Sequence, residues 1–595
     1  MLDRSPSVAS SDSVDSLSPP NLSTSIVVER EEVVDERTGL LRGSGHVRIV
    51  KERRKASSFW ILPAVFVFSL FNGAGSTVEV EITSQLACRV LSLRDPTLSP
   101  PTSTLVSIFT NFAPSSSSAD WAHRCRASSE VQKASAEMVT TVALVGGVLS
   151  SLTSAYWGKI SDKYGRKPVL AVVSMGELLV SALFILVVAF PQLFGFKTLL
   201  AGAILGGIAG GQLTGMAVSS AYLGDCALDG SKTQLLSQYW ACFMLGIGIG
   251  PILGSILIRE FTHGVLLIYC GQVLIRVIHL ALVIPLMPES LVPSLRTHSR
   301  PSSLLGGNED NSSALKRDPL LVRLAKFPAE LTKPFKVLLP VARSNGSAMN
   351  RRKKDYRLAL IAISYTLAMV VPGMMAVKIL YARGKFDWGP EETGKWITFL
   401  AATRVVILVV VVPFIVKFLR KAPPQPLEPR PQIIEDRIET AQAALRWDAE
   451  AAKLKKAADT AFDLSTARWA SVLTSIGYLV TAAPSSSSRN FLLGSAMTSP
   501  TALVLPSLQS LALAIAPPDD AGKVLACFSA LATFTASTIG PWLFGVVYIF
   551  SIDLLPELVF VVGAVWTLFS LLPLLFVKVK SPRLILLEEE ELHED

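Results

Sequence analysis

Twelve apolar stretches of about 20 residues each constrain this chain more than any other feature of its sequence. A stretch of that length crosses the roughly 30 Å hydrocarbon core of a bilayer as one helix. Only 17% of the residues are charged, against about 25% in soluble proteins. The sequence therefore predicts an all-α membrane protein with spans at 59–82, 138–157, 169–191, 199–223, 236–258, 264–287, 357–380, 394–418, 466–484, 491–515, 522–549 and 556–577.

The cations of the chain are concentrated in alternate loops between these spans. Four of them lie between spans 2 and 3, whereas the loop between spans 11 and 12 has none. Because cytoplasmic loops carry the excess of Lys and Arg, both termini are expected in the cytoplasm. The net charge of +9 is therefore a topology signal, and no nucleic-acid partner is expected.

The spans fall into two pseudo-symmetric bundles of six helices. The N-terminal bundle is predicted at 58–288 and includes a long non-cytoplasmic loop at 88–137. The C-terminal bundle is predicted at 357–577 and includes a cytoplasmic helical insert at 420–465. The remaining parts are a disordered cytoplasmic tail at 1–57, a central cytoplasmic loop at 289–356 and an acidic cytoplasmic tail at 578–595.

A short cationic loop separates spans 2 and 3. Its residues, 158–168, read Gly-Lys-Ile-Ser-Asp-Lys-Tyr-Gly-Arg-Lys-Pro. This spacing resembles the signature loop between spans 2 and 3 of the major facilitator superfamily, with Lys163 where the family more often has Arg. The resemblance implies a twelve-span transporter fold and a latch between its halves, formed here by Gly158, Asp162, Gly165, Arg166 and Lys167. By its chemistry, Asp162 could accept from the first amides of span 3 or pair with Arg166.

Spans 5 and 11 carry a Gly-Pro pair at matching positions, which indicates an internal repeat of six spans. Glycines spaced by four give a smooth face for close helix contact, and a proline bends the helix. These packing residues are Gly246, Gly250, Pro251, Gly254, Gly540 and Pro541. The motif in span 5 resembles that of the drug:proton antiporter branch. The residues around Asp225, Glu289 and Asp387 resemble tetracycline exporters and proton-coupled folate carriers.

Ionisable residues inside spans cost about 2.5–3.5 kcal/mol each at the centre of a bilayer, so each needs a reason. Arg404, near the middle of span 8, is a candidate for binding an anionic substrate group or a coupling carboxylate, and a structural ion pair is the alternative. Glu79 or Glu81 is predicted to form an outer gate with Lys378, or to bind a proton; exposure at the interface is the alternative. Glu177, Arg276 and His279 are expected to be structural.

Two further features concern processing and sorting. Cys88 and Cys125 lie near the ends of the long non-cytoplasmic loop and could form a disulfide there. Glu36, Leu40 and Leu41 resemble an acidic dileucine signal read by sorting adaptor complexes, which favours a vacuolar or lysosomal membrane; chance in a low-complexity tail is the alternative. The plasma membrane stays open as the other location.

The sequence predicts a secondary active transporter that moves a small organic solute by alternating access, as a monomer in the bilayer. No Walker loop appears, so a proton gradient rather than ATP is the expected energy source. The six cysteines show no metal spacing, and neither an enzyme activity nor a cofactor is expected. Export or vacuolar sequestration is the main hypothesis. A proton-coupled organic-anion importer or vacuolar effluxer is one alternative, and a non-transporting sensor that signals through its cytosolic inserts is another.

Overall fold

The computed structural model describes residues 57–92, 123–125, 127–226, 232–291, 338, 341–342, 354–411, 414, 438–483, 487–516 and 521–579. The predicted sorting signal at Glu36, Leu40 and Leu41 lies outside these residues. So do most of the central loop, most of the C-terminal tail and the first part of the helical insert.

Helices fill the described part of the N-terminal half, and span numbers are kept for the helices at the predicted positions. A short 3-10 turn, Ser58–Trp60, precedes span 1. Span 4 is broken at Gly210 and Gly211, which both have positive φ, and span 6 continues through a π-helical turn, His279–Val283, to a last turn, Ile284–Leu286. In order, the six spans are Leu62–Ser92, Ser129–Tyr164, Arg166–Ala189, Phe196–Ile208 with Gly211–Cys226, Lys232–Glu260, and Gly264–Ile278.

The C-terminal half follows a two-residue antiparallel pairing of Val341–Ala342 with Lys354–Asp355. Spans 7, 8 and 11 each contain a 3-10 or π-helical turn, at Val371–Met374, Ile407–Val411 and Thr535–Ile539. Span 7 consists of Arg357–Ala368 and Met375–Phe386, and span 8 is Pro390–Val406. Span 9 is the last part of the long helix Ile438–Ala482. Span 10 consists of Ser488–Met497 and Thr501–Ile515, span 11 of Ala521–Phe534 and Gly540–Ser551, and span 12 is Leu558–Phe576.

Ten helices in the described part of the chain are long and apolar enough to cross a membrane. Predicted spans 8 and 9 are not among them. Span 8 is short, because its α-helix Pro390–Val406 has 17 residues before the π-helical turn. Span 9 is polar for a span, with Ser471, Thr474, Ser475 and Thr481 buried along it. Span 9 packs on spans 10 and 12 of the C-terminal half, whereas span 8 packs mainly on span 5 of the other half and also touches span 10. Both therefore belong to the helical core, and the fold agrees with the predicted two bundles of six.

The Gly-Pro pairs hold equivalent helices together in the two halves. A Cβ added at Gly250 would lie 2.8 Å from the Cα of Gly73 in span 1. A Cβ added at Gly540 would lie 3.0 Å from the Cα of Gly373 in span 7. Spans 5 and 11 therefore touch spans 1 and 7 backbone to backbone, and the two contacts put Gly73 and Gly373 at equivalent positions of the repeat.

The halves meet along two pairs of helices. Gly394 of span 8 lies against span 5, where an added Cβ would come within 2.9 Å of the Pro251 carbonyl oxygen. Gly147 of span 2 lies against span 11, where an added Cβ would come within 2.7 Å of the Ser537 carbonyl carbon. Val80 and Ala136 of the N-terminal half join a buried apolar cluster formed mainly by the C-terminal half.

Large apolar side chains also cover much of the outside of the bundle. Trp469, Phe550, Phe569 and Phe576 are all more than half exposed. A monomeric soluble protein rarely exposes such a continuous apolar surface, whereas lipid tails would cover it. The apolar exterior thus agrees with the prediction that these helices span a membrane.

Candidate functional site

The cationic loop at 158–168 forms part of a polar cluster that we call the loop cluster, consisting of Asp162, Arg166, Asp225 and Glu289. Arg166 Nη1 donates to Asp162 Oδ1 at 2.5 Å, and Arg166 Nε donates to Asp225 Oδ2 at 3.1 Å. Ser290 Oγ donates to the same Asp225 oxygen at 3.0 Å. Three separate stretches of sequence, after spans 2, 4 and 6, therefore meet at this end of the bundle, which we call the loop end.

Of the two partners predicted for Asp162, the structure has Arg166. The first amides of span 3 bind a different carboxylate, because the backbone N–H groups of Arg166 and Lys167 donate to Glu289 at 2.7 and 3.2 Å. Gly165 makes this junction possible, since its φ of 111° is in the region that favours glycine. Asp162 is thus bound within its own half, and a Cβ added at Gly158 would meet no atom within 4 Å.

The opposite end of the bundle, which we call the disulfide end, has polar contacts that join the two halves. Glu81 Oε2 lies 2.6 Å from Arg383 Nη2, and both side chains are at most 5% exposed. Gln85 Nε2 donates to the other carboxylate oxygen of Glu81 at 2.7 Å. Three further contacts across the halves are Lys133 with Asp553, Tyr548 with Gln132 and His123 with Asp387.

Lys378 does not form the predicted gate with Glu79 or Glu81, and this prediction needs correction. Lys378 lies five residues after Gly373, as Val78 lies five residues after Gly73. Because these glycines are equivalent, Lys378 points into its own half as Val78 does, and both are buried. Arg383 takes the place predicted for Lys378. The predicted span 7 stops at residue 380 and so leaves Arg383 out. In the structure the helix continues to Phe386 and contains Arg383.

Lys378, Arg404 and Tyr478 form a cluster inside the C-terminal half, which we call the cation cluster. Lys378 Nζ bonds to the Tyr478 hydroxyl at 3.3 Å and lies 4.6 Å from the centre of its ring, within cation–π range. Arg404 is close enough to interact electrostatically with both. Its Nε is buried and has no hydrogen-bond partner among the described residues.

No carboxylate balances these two cations within the spans of the C-terminal half. Asp and Glu are absent from the helical segments of spans 7, 9, 10, 11 and 12, and span 8 has only Glu391 and Glu392, in its first turn. Burying a charge without a partner is costly. The cation cluster therefore has the charge and the unused donor that an anionic group would need.

Glu79 lies apart from both clusters. Its side chain is exposed at the surface of span 1, and it is close enough to Glu177 of span 3 and Tyr269 of span 6 to interact with them. All three residues belong to the N-terminal half. Glu79 therefore faces helices of its own bundle and not the predicted partner Lys378.

Cys88 and Cys125 are joined by a disulfide, with their Cα atoms 5.7 Å apart. The bond ties the end of span 1 to the short helical segment that carries His123, whose ring contacts Asp387 of the other half. It therefore lies beside the contacts that join the halves at this end.

A cavity of about 480 Å³ also opens at the disulfide end. It is lined by His123, Arg383, Lys385, Asp387 and Trp388, among others. Arg383 of the Glu81–Arg383 pair lies on the wall of this cavity, and Arg404 is not among its lining residues, so the cavity is a surface feature of the disulfide end. Among the described residues, no group of three or more His, Cys, Asp and Glu side chains could hold a metal ion.

Comparison with known proteins agrees with this architecture. The Major Facilitator Superfamily family profile matches residues 61–427, which is more than half of the chain. The structure of the human organic anion transporter MFSD10 (TETRAN) superposes with a TM-score of 0.50 at 18% identity, covering 87% of this chain and 100% of that one. At that identity the superposition shows the fold alone.

Two curated relatives are fungal transporters. The MFS-type transporter avaJ of Aspergillus versicolor is 23% identical over 372 residues, which are 62% of this chain and 63% of that protein. Citrate exporter 1 of Aspergillus niger is 24% identical over 159 residues, or 27% of this chain and 28% of that protein. The chain thus aligns with less than two thirds of either relative.

The chain belongs to the Major Facilitator Superfamily, a class of membrane transporters.

Proposed function

We propose that this protein is a proton-coupled secondary transporter that exports a small organic solute from the cytoplasm or sequesters it in a vacuole. The observation that supports alternating access is the unequal state of the two ends, and the Gly-Pro motif of span 5, which resembles that of drug:proton antiporters, supports proton-coupled export. Polar contacts, including the buried Glu81–Arg383 pair, join the halves at the disulfide end. At the loop end, Asp162 is bound within one half and Gly158 faces open space.

In alternating access, the two halves close one end of the bundle while the other end is open. The contacts described above correspond to a conformation closed at the disulfide end. If the cationic loops face the cytoplasm, as their charge favours, this conformation is inward-facing. The loop at 158–168 would then join the halves only after the transporter reorients, when Asp162 and the start of span 3 reach the other half.

Replacing Asp162 with Asn is expected to slow turnover without preventing folding. The neutral side chain weakens the bond to Arg166 and reduces the charge that the reoriented loop offers to the other half. The expected result is a lower maximal transport rate in proteoliposomes, with a melting temperature close to that of the wild type. Glu137→Gln, which neutralises an exposed carboxylate of span 2, is the control. A wild-type rate in the Asp162 variant would contradict the proposed latch.

A second candidate is an organic-anion transporter that works in the opposite direction, as an importer or vacuolar effluxer. The cation cluster favours an anion as the substrate, because Arg404 has an unused buried Nε and no carboxylate beside it in that half. The citrate exporter among the relatives also supports an anionic substrate, although its name supports export. Substrate class and direction are therefore separate questions for the experiment.

Replacing Arg404 with Leu is expected to weaken the binding of an anionic substrate more than that of a cationic one. A hydrogen bond to a charged group contributes about 1.5–3 kcal/mol, so KM should rise by roughly 10- to 150-fold. The test measures uptake of radiolabelled citrate and of the cation ethidium into proteoliposomes, with the pH gradient imposed in each direction. It reports the substrate class and the transport direction together. The control is Arg259→Leu, which removes an exposed arginine at the end of span 5.

The outcomes separate the hypotheses. Citrate transport that Arg404→Leu weakens and Arg259→Leu does not supports an anionic substrate, and the gradient that drives it gives the direction. Transport of ethidium alone, unchanged in both variants, contradicts the anion assignment. Absence of any gradient-driven flux, together with a cellular phenotype lost on deletion of 296–345 but kept in Arg404→Leu, supports the sensor instead.

Location is tested separately. A vacuolar membrane is proposed from the acidic dileucine pattern at Glu36, Leu40 and Leu41. A fluorescent fusion should move from the vacuolar to the plasma membrane when Leu40 and Leu41 are both replaced with Ala. An unchanged plasma-membrane signal in both forms would contradict the involvement of a sorting adaptor.

A further inference from the structure

Four aromatic rings from four spans of the C-terminal half pack together near the disulfide end. The ring of Phe491 in span 10 lies 5.2 Å from that of Trp396 in span 8 and 5.9 Å from that of Tyr381 in span 7, measured between ring centres. Phe560 of span 12 lies 4.9 Å from Tyr381. All four are at most 3% exposed. These contacts, which we call the ring cluster, fix which face of each helix points into the half.

The next positions on two of these faces are polar. Span 7 ends at the disulfide end, so Lys378, one turn before Tyr381, lies on the loop-end side of the ring cluster. Span 10 begins at the cavity of the disulfide end, so Ser495, one turn after Phe491, lies on the same side. Positions three or four apart share a helix face. Lys378 and Ser495 therefore follow the rings toward the middle of the bundle.

Tyr478 of span 9 lies at the same level. A Cβ added at Gly477 would lie 2.8 Å from the backbone nitrogen of Thr498, so this part of span 9 touches span 10 just beyond Ser495. The Tyr478 hydroxyl bonds to Lys378 Nζ at 3.3 Å. The cation cluster is thus adjacent to span 10.

Arg404 reaches this level from span 8, which also runs from the disulfide end toward the loop end. Its Cα lies about 12 Å beyond that of Trp396 along the helix, whereas Ser495 lies about 6 Å beyond Phe491. Side chains on a helix lean back toward its N-terminus. The guanidinium of Arg404 is therefore brought back toward the level of Ser495, in agreement with its electrostatic interaction with the other two members of the cation cluster.

Two hydroxyl groups at this level are not used. Ser495 and Ser499 are 1% and 0% exposed, and neither Oγ has a hydrogen-bond partner among the described residues. Thr498, between them, donates to the Ser495 carbonyl at 2.7 Å, and Ser471 of span 9 donates to the Ala467 carbonyl at 2.9 Å. Such bonds are usual for hydroxyls within helices. Because buried polar groups are almost always hydrogen-bonded, two neighbouring exceptions indicate a place for a ligand oxygen.

The backbone of span 10 supports the same location. The helix is interrupted between Met497 and Thr501, and Ser499 lies in the interruption. The corresponding fourth span of the N-terminal half is interrupted at Gly210 and Gly211. In transporters built from repeats, interruptions at corresponding positions of the two halves indicate the binding site.

We propose that the substrate is a hydroxycarboxylate, whose carboxylate binds Lys378 and Arg404 and whose hydroxyl binds Ser495 and Ser499. A serine hydroxyl both donates and accepts, so it can satisfy a substrate hydroxyl in either sense. The inference rests on the anionic substrate proposed for the cation cluster and adds the group that distinguishes one anion from another. An amino acid fits less well, because the helical segments of spans 7, 9, 10, 11 and 12 contain no carboxylate to bind its ammonium group.

The test uses two pairs of acids that differ by one hydroxyl: citrate with tricarballylate, and malate with succinate. Titration of each acid against thermal unfolding of the purified protein gives its apparent Kd. The wild type is expected to bind the hydroxy acid of each pair roughly 2- to 10-fold more tightly, the effect of one hydrogen bond. The double variant Ser495→Ala with Ser499→Ala should bind both members equally. Ser471→Ala, which removes a buried hydroxyl bonded within span 9, is the matched control and should keep the preference.

The variants separate recognition of the hydroxyl from a general disturbance. An unchanged Kd for tricarballylate and succinate in the double variant, together with loss of the preference, supports the proposal, because a structural defect would weaken all four acids. Arg404→Leu should weaken all four.

Three results would overturn the assignment. Equal binding within each pair by the wild type, or a preference kept by the double variant, removes the role of the serines but leaves the anion site intact. Loss of the preference in Ser471→Ala as well would show that the serines of span 10 are not special. If none of the four acids stabilises the wild type, the hydroxycarboxylate class is wrong, and transport of ethidium alone would then show that the proposed anionic substrate is wrong too.

Discussion

Replacing Arg383 with Met is expected to open the disulfide end. The substitution leaves the Glu81 carboxylate buried without its cation, and removal of one partner from a buried ion pair costs about 3–5 kcal/mol. If the reoriented state exposes Glu81 to water, that state does not bear the cost. The ratio of the two conformations should then shift by about two to four orders of magnitude.

A cysteine at Ala136 reports this opening. Ala136 is 1% exposed and lies in the apolar cluster shared by the halves. In a parent that lacks the free cysteines Cys226, Cys242, Cys270 and Cys527, maleimide should label this position slowly. Labelling should become faster by a large factor when Arg383→Met is added.

Two further variants distinguish the ion pair from a general disturbance. Glu81→Met together with Arg383→Met should recover much of the slow labelling, because apolar replacements of both partners are often neutral. Recovery should be incomplete, since Gln85 loses its acceptor. Lys385→Met is the matched control. Lys385 bonds to Glu557 within the same half at 3.0 Å, so its loss should not change labelling. Equal labelling rates in Arg383→Met and Lys385→Met would contradict the idea that the Glu81–Arg383 pair keeps the disulfide end closed.

The second large effect is expected at the Gly-Pro pairs. Gly250→Ala places a methyl group against the backbone of span 1, 2.8 Å from both the Gly73 Cα and the Ala74 nitrogen. Neither backbone can move aside alone, because each belongs to a long helix. Overpacking costs about 1–3 kcal/mol and occasionally more. We expect a melting temperature lower by several degrees, and a similar decrease for Gly540→Ala by the repeat.

Gly224→Ala is the control, since a Cβ there would meet no atom within 4 Å. Its melting temperature should stay near that of the wild type, or rise slightly because alanine favours a helix over glycine. Thermal unfolding of the purified protein, followed by the fluorescence of a thiol-reactive dye, measures all three. A decrease in Gly224→Ala as large as that in Gly250→Ala would show that the effect comes from glycine loss in general.

Features that depend on length and composition were predictable from the sequence. The positions of the spans and the repeat of the Gly-Pro pairs follow from runs of apolar residues and from glycine spacing. Spans 8 and 9 were harder to assess, because the helix Pro390–Val406 is short and span 9 is one end of the longer helix Ile438–Ala482. Only the packing of neighbours places them in the bundle.

The partners of the charged residues could not be predicted in the same way. Glu81 pairs with Arg383, and Lys378 turns toward Tyr478, because the glycine contacts of spans 1 and 7 fix how each helix is rotated. A rotation of one residue, about 100°, decides whether a side chain faces the other half or its own. The carboxylate of Glu289 likewise reaches the start of span 3 only because the ends of spans 3 and 6 meet in space.

The helix Ile438–Ala482 has 45 residues and no break. At 1.5 Å per residue it is about 68 Å long, roughly twice the thickness of the hydrocarbon core. About 38 Å of it therefore extends beyond span 9 as a rigid rod. A rotation of the C-terminal half by about 15°, the size of a known rigid-body rotation between protein subunits, would move the far end of this rod by about 10 Å. The helix thus acts as a lever arm, and a fluorophore at its tip would follow each transport cycle from outside the membrane.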